Sequence, residues 1–346
     1  MFPNPVIAES ARRTVQHTAI GAIRPIAHKT AAAAAVALLL ALVPLFGSAF
    51  YTELATRVMI LAIFTISLDL LVGYTGLVSF GHAAFFGIGA YAYALMAPRQ
   101  EAANLWLALP MAMLLAGAAA LVVGAFVLRT RGVYFIMVTL AFAQMFYFVF
   151  HDTDFGGGSD GITVNFRPQA TVAGWKPFDP GNSVQLFYFV LILLAAVLAF
   201  LRRVLDSPLG RALQGIKVNE LRMRSLGFPV FRYKLASFTI SGTLAGFAGC
   251  LYAVQSGFAN PELLSWQQSG NVLLMVILGG AGTLYGAVAG AFAFSLLQEL
   301  YSALTTHWQL PLGLTIIALV LFLPGGLGRF VGRFIAQSIP ERADDE

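Results

Sequence analysis

The sequence predicts an all-α polytopic membrane protein with about ten transmembrane segments, some of them broken or short, and with both termini in the cytoplasm. Of its 346 residues, 58% are hydrophobic and 11% are charged, and the mean hydropathy is +0.78. A soluble globular domain carries roughly 25% charged residues, so most of this surface must face lipid instead of water. The lengths of the apolar segments and the distribution of basic residues predict the same fold class.

Ten apolar segments result when the chain is divided at charges, prolines and glycine clusters. A helix needs about 20 apolar residues to cross a hydrocarbon core of roughly 30 Å. Two segments near the C-terminus are shorter, which predicts helices that are broken or cross only part of the bilayer. The ten segments are 32–51, 57–73, 76–97, 105–128, 132–150, 184–201, 235–255, 268–281, 286–305 and 310–324.

Basic residues divide unevenly between the two predicted sides of the membrane. Four precede residue 32, two lie at 129 and 131, eight lie in 202–234 and three follow 328, which together make 17 of the 21 basic residues. Cytoplasmic loops are enriched in Lys and Arg, and ten spans place all four regions on one side. The net charge of +5 therefore reflects orientation in the membrane and does not predict nucleic-acid binding.

The domain prediction is one transmembrane domain, 32–330, between a cytoplasmic N-terminal tail, 1–31, and a cytoplasmic C-terminal tail, 331–346. A cleaved signal peptide is the alternative for the N-terminal region. Its apolar run exceeds the ~7–15 residues of a typical signal-peptide core, which favours an uncleaved anchor. Two loops are long: 152–183, rich in Gly, Pro and Asp, is predicted to cap the outer mouth, and 202–234 is predicted to be cytoplasmic.

The cytoplasmic loop 202–234 is predicted to contain a short amphipathic helix. Ser207 followed by Pro208 is a typical helix start, with the serine as the cap and the proline at the first helical position. Apolar residues at helical spacing then form one face, composed of Leu209, Ala212, Leu213 and Ile216. Such a helix either lies on anionic lipid or docks into a groove on a cytoplasmic partner, and composition leaves both interpretations open.

Two glycine-rich stretches resemble each other. A Gly-x-x-Gly motif at 73–76 precedes the run 89–95, and a second at 279–282 precedes a similar run at 290–296. Glycine in a span permits close helix contact or an unwound backbone, and paired interrupted segments often mark a transport pathway. Convergent small-residue packing is the alternative to a true repeat. The candidate pathway or broken-helix residues are Gly73, Gly76, Ser79, His82, Gly279 and Gly282.

Ionisable residues in apolar segments are costly and therefore candidates for function. Asp69 lies about one turn from the predicted cytoplasmic end of its helix, where it can also cap the helix or reach water. Glu299 lies near the middle of a predicted span. These two residues form the candidate ion site. For His82, hydrogen bonding to broken backbone is favoured over proton transfer.

The residue pattern does not predict an enzyme. No lysine follows a glycine, so the G-K-[ST] core of a phosphate-binding loop is absent from the sequence. The five histidines form no metal-spaced pair, and the single cysteine, Cys250, excludes a site built from two cysteines of this chain. We therefore expect no metal and no cofactor in this chain, and any ATP must be used by partner subunits.

Several motifs in one order resemble the permease subunits of bacterial branched-chain amino acid ABC importers, of the LivM type. The resemblance runs from about residue 55 to about residue 330. The motifs occur in the same order and with similar spacing as in that family, so together they indicate the family more specifically than any single motif does. They are LDLLVGYTGLVSFGHAAFFGIGAYAYAL (68–95), GGGSDGI (156–162), the stretch from Ser207 to Ala253, NPELLSWQQSG (260–270), LLMVILGGAGTLYGAVAGAF (273–292) and FLPGGL (322–327).

The resemblance implies a subunit of the bacterial inner membrane that works by alternating access. It implies a second permease subunit, two ATP-binding cassette ATPases and a periplasmic binding protein that delivers leucine, isoleucine or valine. It also implies that loop 202–234 presents a coupling helix to an ATPase. The general importer signature has Glu-Ala-Ala, whereas this chain has Glu220-Leu221-Arg222. The residues assigned to ATPase coupling by resemblance are Gly210, Arg211, Ala212, Asn219, Glu220 and Gly227.

Two alternatives remain for function. Similar permeases serve urea and short amides, and the motifs in 68–95 do not separate these substrates from amino acids. An ion-coupled secondary transporter is the second alternative, and it requires Asp69 or Glu299 to titrate during transport.

Overall fold

The computed structural model describes residues 40–46, 48–97, 103–164, 168–172, 175–322 and 325–328. Within these ranges the chain is mostly helical, and a helical turn, Val43–Phe46, precedes the first long helix. The helices are α1 (Ala49–Asp69), α2 (His82–Met96), α3 (Leu105–Val127), α4 (Val133–Asp152), α5 (Ser183–Asp206), α6 (Pro208–Val218), α7 (Glu220–Ser225), α8 (Val230–Ser256), α9 (Trp266–Gly279), α10 (Leu284–Leu304) and α11 (Gln309–Phe322). All packing reported below lies within residues 52–328.

Six helices of the described chain are long and apolar enough to cross a membrane. They comprise α3, α4, α5, α8, α10 and α1 together with the π-helical turn Leu70–Thr75 that continues it. The chain is therefore a polytopic all-α membrane protein. Helices α2 and α11 are apolar but shorter. Residues 32–39 and 47 of the predicted first segment, 32–51, lie outside the described residues.

Two predicted segments differ most from the observed helices at their starts. The predicted segment 76–97 is wrong at its start, because residues 76–81 are not helical and α2 begins at His82. The predicted segment 57–73 begins too late, since α1 starts at Ala49. The prediction that 268–281 is short is confirmed: α9 has 14 residues and, at 1.5 Å per residue, spans only about 21 Å.

Helices α1 and α8 form the interior of the bundle. In their most apolar windows, 83% and 78% of the residues are buried, against 22–39% for the other four long helices. Small residues on α8 permit this close packing. A Cβ atom added to Gly89 of α2 would lie 1.9 Å from the carbonyl oxygen of Gly246, so only glycine fits where α2 crosses α8.

Short strands bring the long loop 152–183 to the C-terminal end of α8. Strand β1 (Ile162–Thr163) pairs antiparallel with β4 (Phe258–Ala259), which follows α8 directly. Within the loop, β2 (Ala170–Val172) pairs with β3 (Trp175–Phe178). We call this the cap end of the bundle. The opposite end carries α6 and α7, and we call it the basic end.

Candidate functional site

The helix α6 begins as predicted at Pro208, but its cap differs. Ser207 has an extended backbone, yet its side chain makes no cap hydrogen bond to α6. Its Oγ instead donates to the carbonyl oxygen of Val204, at 2.5 Å, in the last turn of α5. The predicted capping role of Ser207 is therefore wrong. The serine ends one helix, and the fixed φ of Pro208 starts the next.

The apolar face of α6 is buried within this chain. Ala212, Leu213 and Ile216 are each at most 4% exposed. Gly210 is buried as well, and a Cβ atom there would lie 2.3 Å from the carbonyl oxygen of Leu205. Neither interpretation of this face, on lipid or in a partner's groove, describes the structure, because the bundle itself covers it.

A different set of apolar residues is exposed on the cytoplasmic loop. Val218 at the end of α6 is 83% exposed, and Leu221 and Leu226 of the α7 region are 68% and 66% exposed. Of the six residues assigned to coupling, Arg211, Asn219 and Gly227 are exposed and Glu220 is half-buried. We call Arg211, Val218, Leu221 and Leu226 the exposed α6–α7 surface.

Glu220 is the centre of an ionic cluster at the basic end. Its Oε2 accepts a hydrogen bond from Lys234 Nζ at 2.7 Å, and its Oε1 accepts one from Arg224 Nη2 at 2.9 Å. Arg131, in the turn between α3 and α4, approaches Oε1 at 3.8 Å. Glu220 thus joins α7 to α8 and to the α3–α4 turn.

The charges around Glu220 change its acidity. Partial burial on its own raises the pKa of this carboxyl. The hydrogen bond from Lys234 and the positive charges of Lys234, Arg131 and Arg224 outweigh burial and hold the pKa below its ordinary value of 4.5. Glu220 is therefore ionised at neutral pH and balances three cations that would otherwise repel one another.

The two Gly-x-x-Gly motifs meet in the structure. Gly73 lies in the π-helical turn after α1, and Gly282 lies between α9 and α10. A Cβ atom added to Gly73 would lie 2.3 Å from the backbone nitrogen of Gly282 and 2.6 Å from its Cα atom. The backbone of one broken segment therefore rests directly on the backbone of the other, which only glycine at position 73 permits.

Asp69 and Lys217 hold this glycine junction from two sides. Asp69 is fully buried, and its Oδ1 accepts the backbone N–H of Gly282 at 2.7 Å. Lys217 of α6 donates from Nζ to the carbonyl oxygen of Gly73. The stem of Lys217 also packs against Gly76, whose φ of 77° lies in the left-handed region that glycine favours. The cytoplasmic loop is thus connected to both broken segments.

The other motif glycines extend the junction. A Cβ atom on Gly279 would lie 2.1 Å from the carbonyl oxygen of Gly286, where α9 and α10 cross. Gly280 packs in the same way on the backbone of Gly325 and Gly326, in the FLPGGL motif. Gly279 and Gly282 therefore lie in one backbone-to-backbone contact region, as does Gly73.

His82 lies at the start of α2 and fastens it to α1 and α8. Its Nε2 is 2.9 Å from Ser67 Oγ and 3.3 Å from Ser241 Oγ. Its ring stacks on Phe64 with 5.6 Å between centroids. Ser79 is also buried, and its Oγ accepts the backbone N–H of Gly81. His82 therefore contacts serine hydroxyls of α1 and α8, and not the broken backbone that the sequence-based interpretation names.

Comparison with known proteins identifies the family. The family model described as branched-chain amino acid transport system / permease component matches residues 50–324. The chain belongs to this permease family. It is 35% identical over 303 residues to the high-affinity branched-chain amino acid transport system permease protein LivM of Escherichia coli K12, a match that covers 82% of this chain and 71% of that protein.

Two further relatives show the range of the similarity. LivM of Salmonella typhimurium is 34% identical to this permease over 303 residues, again 82% of this chain and 71% of the relative. The autoinducer 2 import system permease protein LsrC of Klebsiella pneumoniae is 36% identical over 112 residues, which is 31% of this chain and 32% of LsrC. No solved structure matches the chain significantly.

The two candidate ion-site residues of the permease are in different environments. Asp69 is enclosed at the glycine junction and does not reach water or cap its helix through its side chain. Glu299 is exposed and lies five residues before the end of α10, not at the middle of that helix. Within the described part of the chain, no three His, Cys, Asp or Glu side chains form a group suited to a metal ion.

Sequence reasoning overlooked three residues of the permease that the structure brings into view. Lys217 was one of eight basic residues in the loop, and nothing local distinguishes it as the partner of Gly73. Glu53 and Arg57 lie at the other end of α1. The sequence does contain a signal for these two residues, because two opposite charges four residues apart interrupt an otherwise apolar helix.

Proposed function

We propose that this chain is the membrane-spanning permease subunit of an ATP-driven importer for leucine, isoleucine and valine. The observation that carries the proposal is the 35% identity, over 82% of the chain, to a LivM protein of a high-affinity branched-chain amino acid transport system. The family is one of transport components, so the chain is a transport subunit and not an enzyme. Its own part requires no cofactor, because partner subunits use the ATP.

The proposed topology has ten membrane crossings, with both termini in the cytoplasm of a bacterial cell and the domain in its inner membrane. The crossings are the N-terminal segment from residue 32 onward, followed by α1, α2, α3, α4, α5, α8, α9, α10 and α11. The contact of Arg131 with Glu220 supports one cytoplasmic side for the α3–α4 turn and loop 202–234. The tails 1–31 and 331–346 are cytoplasmic in this arrangement.

The proposed partners are two ATPase subunits, a second permease subunit and a periplasmic amino-acid-binding protein. The ATPase binds the exposed α6–α7 surface, since exposed apolar side chains rimmed by basic residues are typical of protein interfaces. Gly210 and Ala212 act indirectly in this proposal, by letting α6 lie close to α5 and the bundle. The binding protein meets the cap end, where loop 152–183 lies.

Movement of α6 reaches the membrane part through two contacts. Lys217 connects α6 to the carbonyl of Gly73, and Glu220 connects α7 to Lys234 at the start of α8. Because Gly73 rests on Gly282, a shift of α6 displaces α1 and the α9–α10 hairpin together. ATP-dependent motion of the coupling helix therefore changes the packing of both broken segments, which is the mechanical requirement for alternating access.

The experiment is transport by the complete complex in proteoliposomes. The complex is reconstituted with both ATPases, the second permease and the binding protein, and uptake of radiolabelled leucine is measured with and without ATP. We expect ATP-dependent accumulation that isoleucine and valine inhibit and that urea and acetamide do not. A complex with a hydrolysis-deficient ATPase is the control. Accumulation driven by an ion gradient without ATP would contradict the proposal.

A further inference from the structure

The cap end of α1 carries two exposed charges on a helix that is otherwise enclosed. Between Thr52 and Leu71, the exposed residues are Glu53 and Arg57, the leucine and alanine between them (54 and 55) are half-buried, and all the others are buried. Positions four residues apart lie on the same face of a helix. The exposed stripe of the most buried span therefore consists of one acid and one base.

These charges do not neutralise each other. Glu53 Oε1 accepts a hydrogen bond from Ser183 Oγ at 3.1 Å. Arg57 Nη2 donates to the hydroxyl of Tyr252 at 3.2 Å, and its guanidinium lies 5.7 Å from the centroid of that ring. Across the residues that the structure describes, neither side chain is in an ion pair. Each keeps a charge available to a ligand.

The depth of Arg57 indicates that this face does not contact lipid. The 27 residues of α1 and its π-helical turn extend about 40 Å, and Arg57 lies about 8 Å from their midpoint. In the proposed topology, with α1 centred in the bilayer, this position is within the roughly 15 Å half-thickness of the hydrocarbon core. An arginine at such depth faces a water-filled cavity or protein. The exposed stripe of α1 therefore borders a polar space.

The wall behind Arg57 is aromatic. The Tyr252 ring is 5.6 Å from Phe86, and Phe86 stacks on Phe64 at 4.4 Å between centroids. This row continues to His82 at the break between α1 and α2. Phe86 and Phe64 are fully buried, so they hold the half-buried Tyr252 ring in place beside Arg57. The acid and the base within one helical turn match the two charged groups of a zwitterionic amino acid.

We infer that Glu53 and Arg57 form a binding site for the zwitterionic backbone of an amino acid on its way through the permease. Arg57 binds the carboxylate, for which its planar group offers two parallel hydrogen bonds. Glu53 binds the ammonium group, and Tyr252 positions the guanidinium. The inference rests on the proposed function, since it assigns the outer ligand contact of that transport pathway.

The test uses the reconstituted complex with leucine uptake, basal ATPase activity and permease content measured on the same vesicles. We expect Arg57→Gln and Glu53→Gln each to reduce uptake at least tenfold while basal ATPase activity and permease content stay within twofold of wild type. Arg57→Lys keeps the charge without the paired hydrogen bonds, so we expect an intermediate rate. Glu299→Gln, at an exposed acid of α10, is the matched control and should transport normally.

Three outcomes overturn the inference, and they are distinguishable. Wild-type rates in Arg57→Gln and Glu53→Gln contradict this site and leave the proposed function intact. Weaker binding of the ligand-free binding protein to Arg57→Gln, measured by surface plasmon resonance, assigns the pair to protein docking instead. Absence of leucine uptake by the wild-type complex contradicts the proposed function itself.

Discussion

Both ends of α1 carry an acidic residue, but one is buried and the other is exposed. At the basic end, Asp69 is fully buried and accepts a backbone N–H from a loop 213 positions away in sequence. At the cap end, Glu53 and Arg57 are exposed and contact only neutral partners among the described residues. A charged side chain that backbone groups enclose holds helices in place. A charged side chain left exposed inside a span is available to a ligand. One helix therefore combines a mechanical end and a recognition end.

The largest expected effect comes from filling the glycine junction at the mechanical end. In Gly73→Ala the new methyl group would overlap the backbone of Gly282, which cannot move without displacing α9 and α10. We expect a loss of about 3 kcal/mol or more in folding stability, at the upper end of overpacking effects. The measurement is the thermal unfolding midpoint of the purified permease in detergent, together with its yield in the membrane.

Gly270→Ala is the matched control for this substitution. Gly270 lies on α9, and its nearest contact is the Phe80 ring edge at 4.0 Å, so a methyl group fits. An unfolding midpoint of Gly73→Ala equal to that of Gly270→Ala would show that the broken segments are not packed backbone to backbone.

Asp69 separates the effect of a hydrogen bond from the effect of a charge. Asp69→Ala leaves the N–H of Gly282 buried without its acceptor, which costs about 1–3 kcal/mol. Asp69→Asn retains an oxygen acceptor, so we expect a smaller loss. Unfolding midpoints of the two variants provide the comparison. If Asp69→Asn is as destabilised as Asp69→Ala, the negative charge beside Lys217 matters more than the hydrogen bond.

Glu220 tests the link between the coupling loop and the bundle. In Glu220→Lys four cations meet at one point, so we expect α7 to separate from α8 and ATP-driven uptake to be lost while the protein stays in the membrane. Glu220→Gln keeps the size of the side chain and should lose about 1 kcal/mol of stability and part of the uptake. Reversing the pair, as in Glu220→Lys with Lys234→Glu, should restore part of the activity. Normal uptake by Glu220→Lys would contradict the coupling role.

The smallest expected effect is the pH dependence of the same cluster. Because the folded protein holds the pKa of Glu220 below its ordinary value of 4.5, the ionic cluster stabilises the fold above that value, and the contribution is lost as the pH falls through the lowered pKa. The difference in unfolding midpoint between wild type and Glu220→Gln should therefore be constant near neutral pH. It should shrink as the pH falls below 4.5 and through the lowered pKa. A difference that grows on acidification would have the wrong sign.

Local sequence patterns predict the helices and their breaks well, but they predict poorly which of these segments contact one another. Apolar length identifies the spans, and the glycine motifs mark the breaks after α1 and α9, since glycine determines the local backbone. The contact between Gly73 and Gly282 joins positions about 200 residues apart, and no local pattern encodes which two breaks meet. The apolar face of α6 has the right spacing, but periodicity does not tell whether a helix packs on a partner or on its own chain.

Charged residues show the same limit. Glu220 was singled out, yet its three cationic partners come from separate elements that only the fold brings together. In the distribution of basic residues along the sequence, Arg57 is only one of the few that lie on the cap side. Its meaning depends on exposure along a helix that is otherwise buried, which composition does not reveal.

The most direct test of the coupling claim is affinity purification of this permease from its native membrane in mild detergent, as wild type and as Leu221→Asp. Leu221 is 68% exposed at the exposed α6–α7 surface, so an aspartate there should disrupt docking without unfolding the bundle. We predict that wild type retains both ATPase subunits and a second permease by mass spectrometry, and that Leu221→Asp retains the second permease but loses the ATPases. A wild-type chain that elutes alone, or a variant that keeps its ATPases, would contradict the claim that this surface connects transport to ATP.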